Sequence, residues 1–198
     1  MDHVRRVYSL SLQLGLAIGN INLNVLLPAA ILHDIARKKE DELRPQPFDH
    51  AEEGAKMAYE ILQANGFDEF KDEICHCIRT HRYRGQLIPS TLEARVLSDA
   101  DKLDGVGAIG IARTFMWSGK VGAPSYSHTN IEDYRLTNLD EDGRCINEKL
   151  HASNLEYELK LKRIGERLYT DQARDIFDQR LRFMNLFFET LEREIKGE

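Results

Sequence analysis

One stretch, LLPAAILHDIARK at residues 26–38, constrains the fold more than any other. Its first turns are apolar on every side, which is the composition of a helix enclosed by other helices. The pattern predicts a central helix from Val25 to about Arg37, capped by Asn24, with Pro28 in the first turn where its missing N–H costs little. That buried helix ends on two ionisable neighbours, His33 and Asp34. An imidazole and a carboxylate at the edge of a core are expensive unless something compensates them. A divalent cation would do so, but two ligands make too few bonds to hold one, so other elements have to bring more.

Helical periodicity recurs along the chain. Val4, Val7, Leu10, Leu14 and Ile18 form a stripe over residues 3–19, ended by Gly19-Asn20. Residues 39–49, charged and carrying two prolines, read as a surface loop. Further helices are expected from Asp49 to Asn65, from Asp68 to about Tyr83, and from a Pro89-Ser90-Thr91 cap to Leu103. The small-residue segment Gly105–Met116 is expected to continue as a helix, and residues 118–142 as a long irregular loop. Two helices, about 146–166 and 170–195, close the chain. No alternating strand pattern or internal repeat is visible, so the expected architecture is an all-α helical bundle in a single domain.

Bulk properties narrow the function. A net charge of -6 disfavours a general nucleic-acid binder, which draws its affinity from Lys and Arg on phosphates. No apolar run approaches the ~20 residues of a membrane span and the start has no signal-peptide layout, so a cytoplasmic protein is expected. Cys75, Cys77 and Cys145 lack the spacing of a zinc site or disulfide framework and read as reduced thiols.

Candidates for the missing ligands are His3, His50, His76, His81, Asp99, Asp101 and Asp104. A ligand inside a bundle must lie on the core face of its helix. His3 falls beside the first stripe, and His81 follows Cys77 by four residues and Ile74 by seven, whereas His76 falls off that stripe. Asp101 follows Leu97 by four and Ala94 by seven. Asp99 points roughly 160° away from Asp101, and Asp104, one turn on, suits a supporting role. Of the cations, Arg79, Arg82, Arg84 and Lys102 lie beside His81 and Asp101 in sequence. His128 and His151 read as surface or structural residues, and Trp117 as core.

The blocks DHVRRV, LLPAAILHDIA, FDHAEEGAKMA, ICHCIRTHRYRG and LSDADKLDGVGAIGIAR, in that order over about residues 2–113, resemble those of the HD-domain metal phosphohydrolases. The resemblance is closest to the small bacterial and archaeal subgroup with a DADKLD-type final block. INEKL and YTDQARDIFDQRLRFM are similar to that subgroup in pattern, less specifically. The resemblance implies one HD-type domain over residues 1–198, with a metal-binding core at 1–116 and the loop and C-terminal helices of 117–198 packed on it. It implies a divalent ion (Mn, Mg, Fe, Ni or Co) on His3, His33, Asp34 and Asp101, and phosphate or a second metal at His50 and His81. Relatives usually carry a further helix before the first histidine, so the expectation is either that this chain starts late or that it lacks part of a lid.

Such an ion would supply both an activated water and an electrophile to a phosphoryl group. Asp34, His50, His81, Arg82 and Lys102 are then the expected catalytic side chains, and no residue is assigned to an organic cofactor. The expected partner is a small phosphorylated molecule of nucleotide type, with no nucleic acid and no membrane; a homodimer is compatible with such a chain. Two other classes remain in view: a silent metal- or nucleotide-binding regulatory module, and a di-iron HD oxygenase.

Overall fold

The computed structural model describes residues 2–43, 46, 48–82, 87–141 and 143–198, whose regular elements are helices. The elements are α1 (Asp2–Ile18), α2 (Leu23–Leu32), α3 (Arg37–Leu43), α4 (His50–Ala64), α5 (Lys71–Thr80), α6 (Leu92–Asp104), α7 (Ala108–Val121), α8 (Ile131–Asn138), α9 (Ser153–Leu159) and α10 (Asp171–Lys196). Short 3₁₀ turns precede α5 and flank α9. Among the described residues the only β pairing is an isolated antiparallel bridge between Leu139 and Cys145. No described helix is long and apolar enough to cross a membrane.

The chain forms two compact units, Met1–Asp104 with Leu168–Asp175, and Gly105–Arg167 with Ile176–Glu198. In the first, Val7, Leu10 and Leu14 of α1, Val25, Leu26, Ala29 and Ala30 of α2, Ile74 and Ile78 of α5, and Ala94 and Leu97 of α6 are buried together. Close approach depends on small residues. A Cβ on Gly54 of α4 would touch the His33 carbonyl and Ile78 at 3.6 Å, and one on Gly15 of α1 would press on Leu26 at 3.2 Å. The Cys75 thiol reaches the Ala55 carbonyl of α4 at 3.3 Å.

Several boundaries differ from the sequence reading, each for a local reason. Asn22, not Asn24, caps α2: its side chain accepts the Asn24 N–H at 3.0 Å. The helix then stops at Leu32, and residues 33–36 form a turn closed by Ile35 N to Leu32 O and Arg37 N to Asp34 O. The expected loop at 39–49 begins as the helix α3, RKKEDEL, which contains one apolar residue and so shows no hydrophobic period. The expected loop at 118–142 is irregular only in part, because α7 runs on to Gly122, a glycine in the left-handed region, and Asn130 caps α8 by accepting from Glu132 and Asp133. The helix expected over 146–166 is broken into two 3₁₀ turns and α9, with Asn147 capping the first turn.

The start of α10 is tied down within the first unit. Asp99, fully buried on α6, accepts from Tyr169 N and Thr170 N, both at 2.9 Å, and from Thr170 Oγ1 at 2.8 Å. Thr170 Oγ1 in turn accepts the Ala173 N–H, the ordinary capping bond. Asp99→Ala would strand buried N–H donors and is expected to cost about 2–4 kcal/mol, read as a lower urea midpoint with helicity retained. In the second unit a Cβ on Gly110 would lie 2.2 Å from the Gly105 carbonyl oxygen. Gly110→Ala is expected to lower the melting temperature by several degrees, about 1–3 kcal/mol, by calorimetry.

Candidate metal centre

The first unit brings helix ends together. His3 lies in the first turn of α1, His33 and Asp34 follow α2, His50 opens α4, His81 follows α5, and Asp101 and Asp104 sit in the last turn of α6. On an unbroken helix adjacent side chains diverge by about 100°. The turn at 33–36 relaxes that, and His33 Nε2 and Asp34 Oδ2 come to 3.9 Å of each other.

Two triads result. In one, His3 Nε2 lies 3.2 Å from His33 Nε2 and 3.2 Å from Asp101 Oδ1, and His33 Nε2 lies 3.9 Å from Asp101 Oδ1. In the other, His50 Nε2 lies 3.3 Å from His81 Nε2 and 3.4 Å from Asp34 Oδ1, and His81 Nε2 lies 3.8 Å from that oxygen. Asp34 joins them, since its other oxygen, Oδ2, is 3.6 Å from His3 Nε2. Ligand atoms bonded to one ion at about 2.1 Å stand about 3.0 Å apart when adjacent and about 4.2 Å apart when opposite. Every spacing in both triads falls in that interval, so the donor sets fit a divalent cation.

The tautomers agree. His33 Nδ1 donates to the Ala30 carbonyl at 2.9 Å and His81 Nδ1 to the Ile78 carbonyl at 2.6 Å. His3 Nδ1 donates to Asp104 Oδ2 at 2.7 Å and His50 Nδ1 to Glu40 Oε2 at 3.0 Å. These partners can only accept, so each Nδ1 carries the proton and each Nε2 presents a lone pair. The 3.1 Å approach of Arg37 to His50 Nδ1 is therefore two donors sharing Glu40, which Arg37 reaches at 2.7 Å. With all four rings neutral, four lone pairs and two carboxylates converge. That is the second-sphere pattern of metal-ligating histidines.

Electrostatics favour positive charge at the same point. Burial works to lower the pKa of His3, but its hydrogen bonds to Asp101 and Asp104 win and hold the imidazole up to about 9. Burial works to raise Asp101, but the hydrogen bond from His3 drives it well below the usual carboxylate range. Asp104, also burdened by burial, is held down to about 2 by His3 and Arg6. His81, fully enclosed, is pushed down to about 4 by burial, so it is a neutral lone-pair donor at physiological pH.

The other sequence candidates are placed as follows. Arg82 donates to Asp49 Oδ1 at 2.9 Å and stands 3.5 Å from Glu40 Oε1, beside His50. Lys102 is buried, with Nζ at 2.5 Å from Ser98 Oγ and 4.9 Å above the Tyr169 ring, so a phosphate contact would require it to leave that seat. Arg79 pairs with Glu52 on α4, and Arg84 lies outside the described residues. His76 is half-buried and engages Ser90 at 2.9 Å. Asp99 serves α10 as described. Cys75 and Cys77 are buried free thiols and Cys145 is a half-buried one. Sequence reasoning missed Glu40 and Arg37; a carboxylate in a run without hydrophobic period gives no sign that it is buried.

Comparison with known proteins gives one consistent result. The family model for the HD domain matches residues 1–105, and the first segment of the first unit ends at Asp104. The uncharacterized Bacillus subtilis protein YpgQ is 30% identical over 201 residues, spanning 98% of this chain and 83% of its own. Its crystal structure in complex with ADP superposes with a TM-score of 0.71 at 28% identity, covering 98% of this chain and 88% of that one. An HD-superfamily hydrolase from Bacillus thuringiensis superposes with a TM-score of 0.72 at 25% identity, covering 100% and 86%. Ordered motifs, two histidine–aspartate triads and these likenesses agree: the chain belongs to the HD domain family.

Proposed function

We propose that this protein hydrolyses a phosphoester or phosphoanhydride of a small, nucleotide-like substrate with the help of divalent metal. The observation that carries the reading is Asp34, whose two carboxylate oxygens face two different pairs of imidazole lone pairs. A carboxylate so placed supports cations on either side of it, the first with His3, His33 and Asp101 and the second with His50 and His81. Bound there, divalent cations lower the pKa of water toward neutrality and polarise a phosphoryl oxygen.

The chain's own residues do the rest. His33 and His81 are oriented by backbone carbonyls, so they need no rearrangement on binding. Arg82 and Arg37, gathered on Glu40 beside His50, supply positive charge where phosphoryl oxygens carry negative charge in the transition state. Similarity to YpgQ, crystallised with ADP, supports a nucleotide as the substrate class, and a nucleoside triphosphate is the one to test first. The paired triads also suit two irons, the requirement of an HD oxygenase; two irons per chain with oxygen uptake and no phosphate release would replace the present reading.

Two experiments test it. Protein stripped with a chelator is expected to be inactive on p-nitrophenyl phosphate and a nucleotide panel, and to recover with Mn, Mg, Co or Ni. His33→Ala should stay at the stripped level with every metal; undiminished turnover in that variant would place the chemistry elsewhere, and metal binding without turnover would mark a regulatory module. Glu40→Gln removes the negative charge of the acceptor that fixes His50. It is expected to weaken metal binding about 10–100-fold in a calorimetric titration while thermal stability stays near that of the parent.

A further inference from the structure

α10 carries an exposed face whose charges are arranged to match a second copy of themselves. Asp178, Arg182, Leu186, Glu189 and Arg193 are all exposed and fall within an arc of about 80° at the α-helical step. Leu186 is 60% exposed and Phe183, about 60° beyond the arc, 50%. Asp178 and Arg193 are equally distant from the midpoint between Asn185 and Leu186, and so are Arg182 and Glu189. In each case the equidistant residues have opposite charge.

We propose that this face pairs with the same face of a second chain, antiparallel about a two-fold axis through that midpoint. Such an axis sets Asp178 against the partner's Arg193 and Arg182 against the partner's Glu189, with Leu186 between them. Isologous symmetry repeats each pair, so four opposite-charge contacts form. A parallel pairing in the same register sets like charges against one another and is disfavoured, so the pattern selects orientation as well as partner. The competing explanation is a solvated helix with pairs inside it, since Asp178–Arg182 and Glu189–Arg193 are four residues apart. Among the described residues, α10 instead forms such pairs at Arg174–Asp171 and Lys196–Glu192, while Arg193 leans on the Thr190 hydroxyl. A partner on this face would also cover the exposed Leu186 side chain.

Sedimentation equilibrium of the full chain at low salt tests the proposal, with circular dichroism to show that the variants keep their helicity. The parent is expected to dimerise, more weakly as salt rises. Arg182→Glu should raise the dimer dissociation constant at least about tenfold, and Arg182→Glu with Glu189→Arg should recover most of that loss by exchanging the two charges. Leu186→Lys should give a monomer. A parent that stays monomeric up to ~0.5 mM overturns the proposal. So does a dimer indifferent to Leu186→Lys, or a double reversal no tighter than the single one.

Discussion

Each of the four imidazoles around the centre has one nitrogen committed before the other is offered. Asp104, the Ala30 carbonyl, Glu40 and the Ile78 carbonyl take the Nδ1 protons, and none of these groups can give one back. With the rings neutral, what remains facing inward is a set of acceptors: four Nε2 lone pairs with Asp34 and Asp101 between them. A buried cluster of acceptors alone is costly, and positive charge at its middle relieves the cost. The upward pull on His3 and the downward pull on Asp101 and Asp104 are that demand expressed in protons.

The way the protons are taken follows from where each histidine sits on its helix. His33 and His81 follow the C-terminal ends of α2 and α5, and each donates to the carbonyl three residues earlier. Those carbonyls belong to the last turn, where helices leave C=O groups without an intrahelical partner. His3 and His50 lie at helix starts, where the unpaired backbone groups are N–H donors and cannot accept a ring proton. Both therefore draw on carboxylates from elsewhere, Asp104 of α6 and Glu40 of α3, and both carboxylates are braced by arginine: Arg6 on Asp104, Arg37 and Arg82 on Glu40. Two acids and three arginines that make no part of the donor set are thus accounted for by helix polarity.

The same logic separates what could be read from the sequence from what could not. The stripe of α1, the enclosed α2 and the spacing of Asp101 from Leu97 are properties of period and composition, and they place His3, His33 and Asp101 on inward faces. Glu40 was illegible because α3 has no hydrophobic period: its one buried residue is the acid itself. Lys102 looked free because it follows Asp101, yet one step along a helix turns it about 100° toward Ser98 and Tyr169. The turn at 33–36 was hidden for the opposite reason, an apolar run that continues through Ile35 and Ala36 although the helix has ended. α8 and the broken 146–166 segment depend on Asx caps at Asn130 and Asn147, which periodicity does not weigh.

His151 in the second unit shows that burial of a histidine among polar groups does not by itself make a ligand. Its Nε2 lies 2.8 Å from Glu156 Oε2 and its Nδ1 2.7 Å from the Tyr134 hydroxyl. Burial works to raise the Glu156 carboxyl, but Lys160 and His151 hold it down to about 2, so it accepts at Nε2 and leaves Nδ1 to accept the Tyr134 proton. The Tyr134 oxygen accepts in turn from Asn138 Nδ2 at 2.6 Å, and the chain of donors and acceptors closes with no lone pair left on the ring. His151 is as enclosed as His50, and both lie within hydrogen-bond distance of a glutamate. What differs is the second nitrogen, satisfied inside the fold in one case and aimed at another imidazole and a carboxylate in the other. In this chain it is the direction of the remaining lone pair, more than residue type or depth, that separates a structural histidine from one able to hold a metal.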